Sequence, residues 1–115
     1  MVDDDWRVRQ SLQSVLESAG HSCRTFASGQ ELLASGELEA AACVILDVRM
    51  PGIGGLELQR HIRHQRPLLP VIFITAHDDE ALQRKAREGG AVDFMCKPFD
   101  AADLLRSIDR ELTRA

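Results

Sequence analysis

Two apolar runs, Cys43-Val44-Ile45-Leu46 and Val71-Ile72-Phe73-Ile74, contain no alternation of apolar and polar residues, and each stops at a polar side chain, Asp47 and Thr75. A third, Val92-Asp93-Phe94-Met95-Cys96, stops at Lys97. Strands of this kind are covered on both faces, which is the condition of a parallel sheet layered between helices. The segments between the runs supply those helices.

Val8, Leu12, Val15, Leu16 and Ala19 recur at helical spacing between Asp5, a cap, and Gly20, a stop. A short strand is expected over 22–26. Ser28-Gly29-Gln30-Glu31 has the form of a capping box and opens a helix that ends at Gly36. A strand over 41–46 closes at Asp47 and leads into the turn-rich loop Met50-Pro51-Gly52-Ile53-Gly54-Gly55. The next helix carries Leu56, Gln59 and Ile62 and ends before Pro67, and a strand over 70–75 follows. Asp78-Asp79-Glu80 starts a fourth helix that Gly89-Gly90 stops. A strand over 91–96 precedes a final helix capped by Asp100, with Leu104, Leu105, Ile108 and Leu112 inward.

Five strands alternating with five helices predict an α/β fold: a five-stranded parallel sheet with right-handed crossovers and helices on both faces. The flavodoxin-like order 2-1-3-4-5 fits best, with a switch point between the first and third strands. At 115 residues the chain is read as one domain, residues 1–115. A net charge of −4 and a pI near 5.5 argue against direct nucleic-acid contact. No apolar run approaches the roughly 20 residues that span a bilayer, and no signal peptide opens the chain, so a cytoplasmic protein without membrane contact is expected. Cys23, Cys43 and Cys96 are read as buried reduced thiols.

Ligands of open α/β sheets bind outside the carboxyl ends of the strands. Asp3-Asp4-Asp5, Asp47, Thr75 and Lys97 all fall at such ends, so they are expected to converge. A carboxylate cluster, a hydroxyl and an ammonium suit a Mg²⁺-assisted phosphoryl acceptor. His61 and His64 have no acidic or cysteine ligand near them in sequence, which disfavours zinc. Arg60, Arg63, Arg66, Arg84, Lys85 and Arg87 read as solvated helix faces, the second group also as a possible partner surface.

Four motifs carry a family resemblance: Val2-Asp3-Asp4-Asp5, Leu46-Asp47-Val48-Arg49-Met50-Pro51-Gly52, Ile74-Thr75-Ala76, and Ala91-Val92-Asp93-Phe94 running into Cys96-Lys97-Pro98-Phe99. With them the chain resembles, over essentially its whole length, the receiver domains of two-component response regulators. The nearest likeness is to the receivers of helix-turn-helix transcription regulators. The resemblance implies a phosphorylation-controlled signalling switch, not an enzyme acting on other substrates. Asp47 would accept a phosphoryl group from a sensor histidine kinase. Asp4, Asp47 and the backbone carbonyl of Arg49 would ligate Mg²⁺, and Asp3 would hold a metal-bound water. Lys97 would reach Asp47 and then a phosphoryl oxygen, on a turn that resembles the family's cis-peptide Lys-Pro step at Pro98. Thr75 would bind the phosphoryl group, and Phe94 would be the switch aromatic, inward in the phosphorylated form. The partner surface, for a homodimer or an effector, would be the fourth helix, fifth strand and fifth helix. His77 would edge the site.

Two departures matter. Only Met1 and Val2 precede Asp3, so the first strand is truncated, and a destabilised domain or a coding start placed too far downstream is expected. Gly52 stands where the family often has an acid. Two other readings follow: a degenerate receiver that binds protein without phosphorylation, and an aspartyl-phosphate phosphatase. The latter wants a second acid two residues after the nucleophile, where Arg49 stands.

Overall fold

Val44–Asp47 (β1), Val71–Thr75 (β2) and Asp93–Cys96 (β3) pair in parallel, in that order, in the computed structural model, which describes residues 1–50, 52–76 and 79–113. Two single bridges extend this sheet on the β1 side, Val2 to Leu46 and Phe26 to Val2. Val2 N–H donates to the Ile45 carbonyl at 2.8 Å, and Asp47 N–H to the Val2 carbonyl at 2.9 Å. On its other side Phe26 N–H donates to the Met1 carbonyl at 2.9 Å, and Asp3 N–H to the Phe26 carbonyl at 3.1 Å. The expected order 2-1-3-4-5 is therefore present, with its first two members reduced to bridges.

The strand expected over 22–26 is reduced to the Phe26 bridge, with the Arg24 carbonyl accepting from the Met1 ammonium at 2.9 Å. Beside Met1 lies a cavity of about 460 Å³ lined by Met1, Leu16, Cys23, Cys43, Ile45 and Ile108, among others. By the parity of the ladder the Ile45 N–H faces this cavity, and it meets no backbone acceptor among the described residues.

Among the described residues five α-helices flank these strands. Trp6–Ser18 (α1) starts at Asp5, whose carboxylate accepts from Arg7 N–H. Gly29–Ser35 (α2) starts at Ser28, whose hydroxyl accepts from Glu31 N–H at 3.2 Å, while the Glu31 carboxylate reaches Ala27 N–H, one residue before the cap. Gly36 ends α2 in the left-handed region, and a 3-10 turn that the sequence did not announce, Glu37–Glu39, follows. Gly55–Gln65 (α3), Glu80–Glu88 (α4) and Ala101–Leu112 (α5) complete the set; Asp100 caps α5 as expected, while Asp79, expected in the first turn of α4, is instead its cap.

Alternation along β1 and β2 divides the core into two layers. Val44, Leu46, Val71 and Phe73 pack with Leu32, Leu58, Ile62, Ala86 and Phe94 on the α2–α3–α4 side. Ile45, Ile72 and Ile74 pack with Leu12, Leu16, Leu104 and Ile108 on the α1–α5 side. The three cysteines form no disulfide with one another and are half-buried rather than buried. Arg63 and Arg66 are not merely solvated: Arg63 donates to the Gly89 carbonyl at 2.8 Å and Arg66 to the Leu38 carbonyl at 2.8 Å.

Candidate phosphoryl-acceptor site

Asp3, Asp4 and Asp47 meet at the carboxyl end of the sheet, with one oxygen from each lying within 4.8 Å of the others. Asp47 arrives as the last residue of β1. Gly55 keeps the following loop close, because a Cβ there would fall 2.8 Å from the Val48 Cα, and its N–H donates to the Val48 carbonyl at 2.9 Å. Asp3 is fully buried. One of its oxygens accepts from Asp5 N–H at 2.9 Å, and its backbone carbonyl accepts from the Arg9 guanidinium at 2.8 Å. Asp4 is exposed at the mouth of the cluster.

Lys97 reaches in from the loop after β3, across a cis Lys97–Pro98 peptide. Its ammonium lies 3.0 Å from Asp3 Oδ2 and 3.8 Å from Asp47 Oδ2. The nearer carboxylate is thus Asp3, so Asp3 anchors the lysine as well as standing in the acidic cluster. Lys97 N–H donates to the Thr75 carbonyl at 2.6 Å, which fixes the lysine loop against the end of β2. Thr75 itself is fully buried. Arg49 N–H donates to Asp47 Oδ1 at 3.3 Å. The expectations for Pro51, His77 and Asp78 lie outside the described residues.

Burial, and then the nearby Asp3 carboxylate, push the Asp47 carboxyl up to about 6, against the opposing pull of Lys97. Like charges at ~4 Å repel by roughly 4 kcal/mol at an effective dielectric of about 20, and one ammonium cannot offset three carboxylates. Three converging oxygen ligands with a surplus of negative charge fit a hard divalent cation such as Mg²⁺. Phe94 is buried and packs on Phe73 with ring centroids 6.2 Å apart, so the inward position expected of the phosphorylated form is already the one occupied. His61 and His64 are exposed, and the acid trio is the one metal-competent cluster among the described residues.

Arg9 and Asp79 escaped sequence reasoning. Asp79 Oδ2 lies 4.0 Å from the Arg49 guanidinium, a contact between separate loops that no spacing announces. Arg9 sits on the same helix face as Asp5, one turn on, and that position was a signal available in the sequence.

The profile of the response regulator receiver domain matches residues 1–109. The chain belongs to the response regulator receiver family. This receiver domain is 40% identical over 113 residues to the DNA-binding transcriptional regulator NtrC of Klebsiella pneumoniae, covering 98% of the chain and 24% of NtrC. It is 40% identical over 115 residues to the response regulator protein TodT of Pseudomonas putida, covering all of the chain and 51% of TodT. It thus spans about half or less of these curated relatives. Among solved structures, the receiver domain of NtrX from Brucella abortus superposes with a TM-score of 0.91 at 34% identity, covering 99% of this chain and 97% of that one. A receiver domain protein from Clostridium thermocellum gives 0.92 at 30% identity, with 98% and 91% covered. Receiver domains are phosphorylation-dependent switches of two-component systems that use Mg²⁺ at an acidic pocket and work with sensor kinases and effector domains, and this chain has an acidic cluster in Asp3, Asp4 and Asp47.

Proposed function

We propose that this receiver domain accepts a phosphoryl group on Asp47 from a sensor histidine kinase in the cytoplasm, and acts catalytically only on its own phosphorylation state. The observation that supports this most directly is the convergence of Asp3, Asp4, Asp47 and Lys97 from three separate segments at one sheet end. An Asp47 oxygen forms the new P–O bond while the P–N bond to the donor histidine breaks. The imidazole keeps the electron pair and takes a proton from solvent. Lys97 passes from its carboxylate partners to a phosphoryl oxygen, and Thr75 adds a hydroxyl donor.

Asp4, Asp47 and the Arg49 carbonyl would hold Mg²⁺ directly, with Asp3 acting through a water. When bound, the ion neutralises charge that builds on the transferring group. Phe94, already inward, would report the change by a shift in how often it leaves that packing. The fourth and fifth helices with β3 would present the result to an effector or a second copy.

Incubation with Mg²⁺ and acetyl phosphate, followed by mass spectrometry, tests the reading. A phosphoryl adduct on Asp47 is expected, absent in Asp47→Asn and absent after chelation of the metal. Continuous turnover would instead indicate a phosphatase. No adduct on folded protein would leave a protein-binding module without phosphorylation.

A further inference from the structure

Arg49 is tied at both ends. Its amide touches the Asp47 carboxylate, and its guanidinium lies 4.0 Å from Asp79 Oδ2. Asp79 is the N-cap of α4: Oδ1 accepts from Ala81 N–H at 2.9 Å and from Leu82 N–H at 3.3 Å. The residue two places after the candidate acceptor therefore holds the start of a helix. With side-chain exposures of 58% and 41%, this ion pair is screened by solvent and readily exchanged.

The other end of α4 is held differently. Gln59 of α3 donates to the Ala86 carbonyl at 2.8 Å in a buried bond, and Arg63 donates to the Gly89 carbonyl at 2.8 Å. Ala86 is the buried residue of α4. At its N-terminal end α4 has the exposed ion pair and the partly buried Leu82, so this end is the more weakly tied of the two.

We propose that Arg49 is a positioning residue that latches the N-terminus of α4 through Asp79 while Asp47 is unmodified, and transfers its guanidinium to the phosphoryl oxygens once Asp47 carries the group. This rests on the reading of Asp47 as the acceptor. A phosphoryl group brings roughly two negative charges, where Asp79 offers one, and its oxygens accept a guanidinium in bidentate fashion. Because the Arg49 amide already touches the acceptor carboxylate, the long side chain reaches the group by rotamer change alone. The acceptor then frees α4 at one end while Gln59 and Arg63 keep the other.

The test is a beryllofluoride titration of the intact protein with Mg²⁺, read by Trp6 emission and by hydrogen exchange at Glu80, Ala81 and Leu82. Asp79→Ser keeps a capping oxygen but removes the competing charge, so beryllofluoride should bind about two- to fivefold tighter. Arg49→Gln keeps the backbone carbonyl and should bind about tenfold weaker, with less salt dependence. In the Arg49→Gln background the Asp79→Ser gain should vanish. Additive effects of the two changes, or exchange at α4 that does not speed up on beryllofluoride binding, would overturn the latch. A wild type that forms the Asp47 adduct without this coupling sinks the latch alone. A wild type that neither binds beryllofluoride nor forms an adduct sinks both readings.

Discussion

Asp47 carries the clearest electrostatic burden of any carboxylate among the described residues. Its carboxyl is raised from 3.8 to about 6, first by burial and then by Asp3. Between those values the folded state binds more protons than the unfolded one, so stability falls as pH rises through the window and stays reduced above it. In metal-free buffer, Asp47→Asn should therefore stabilise the domain by roughly 2 kcal/mol at pH 7 to 8, with the gain gone below pH 4. Thermal melts of both proteins across that range check it, and a constant difference at all pH values would contradict it. The positions of Asp3, Asp4, Asp47, Thr75 and Lys97 were legible in the sequence because each ends an apolar run or stands in a motif. The preference of Lys97 for Asp3 over Asp47 was not, since it depends on ångström differences between loops. Nor was the already buried position of Phe94, which is a choice of rotamer.

At the level of elements, the helices were read to within a residue or two because caps and glycines mark their ends locally, as Asp5, Ser28, Gly36, Asp79 and Asp100 show. Strand lengths were less legible, since a strand exists only where its neighbour does. The segment over 22–26 has strand composition, yet it is tied to the sheet only through the Phe26 bridge and the Arg24 carbonyl, which accepts from the Met1 ammonium. Each buried N–H without a partner costs about 1 to 3 kcal/mol unless water reaches it. Joining two or three apolar residues ahead of Met1 should fill the cavity, give Ile45 N–H an acceptor and raise Tm by several degrees, on the scale of about 4 to 8 °C per kcal/mol for a domain this small. Hydrogen exchange at Ile45 should slow in parallel. An unchanged Tm would mean that the cavity is already well solvated and costs little.

Over the whole molecule, alternation along the strands divides the labour between the two core layers. Thr75 lies two residues beyond Phe73 and so shares its side of the sheet, with Phe94 and α4. Leu104 and Ile108 lie on the other side with α1. Leu104→Ala should cost about 2 to 5 kcal/mol of stability, as a fully buried leucine does. Below its melting point the same variant should bind beryllofluoride as the parent does. A changed affinity would show that the α1–α5 layer takes part in the response. Among the described residues no helix is long and apolar enough to cross a membrane.

The two-layered core has a consequence for how such a domain can diversify. If the response to an arriving charge is confined to α4, β3 and α5, the α1 flank is ballast, answerable only for weight and fit. Descendants could exchange its leucines and isoleucines wholesale, or bury it against a new neighbour, and still keep the trigger tuned.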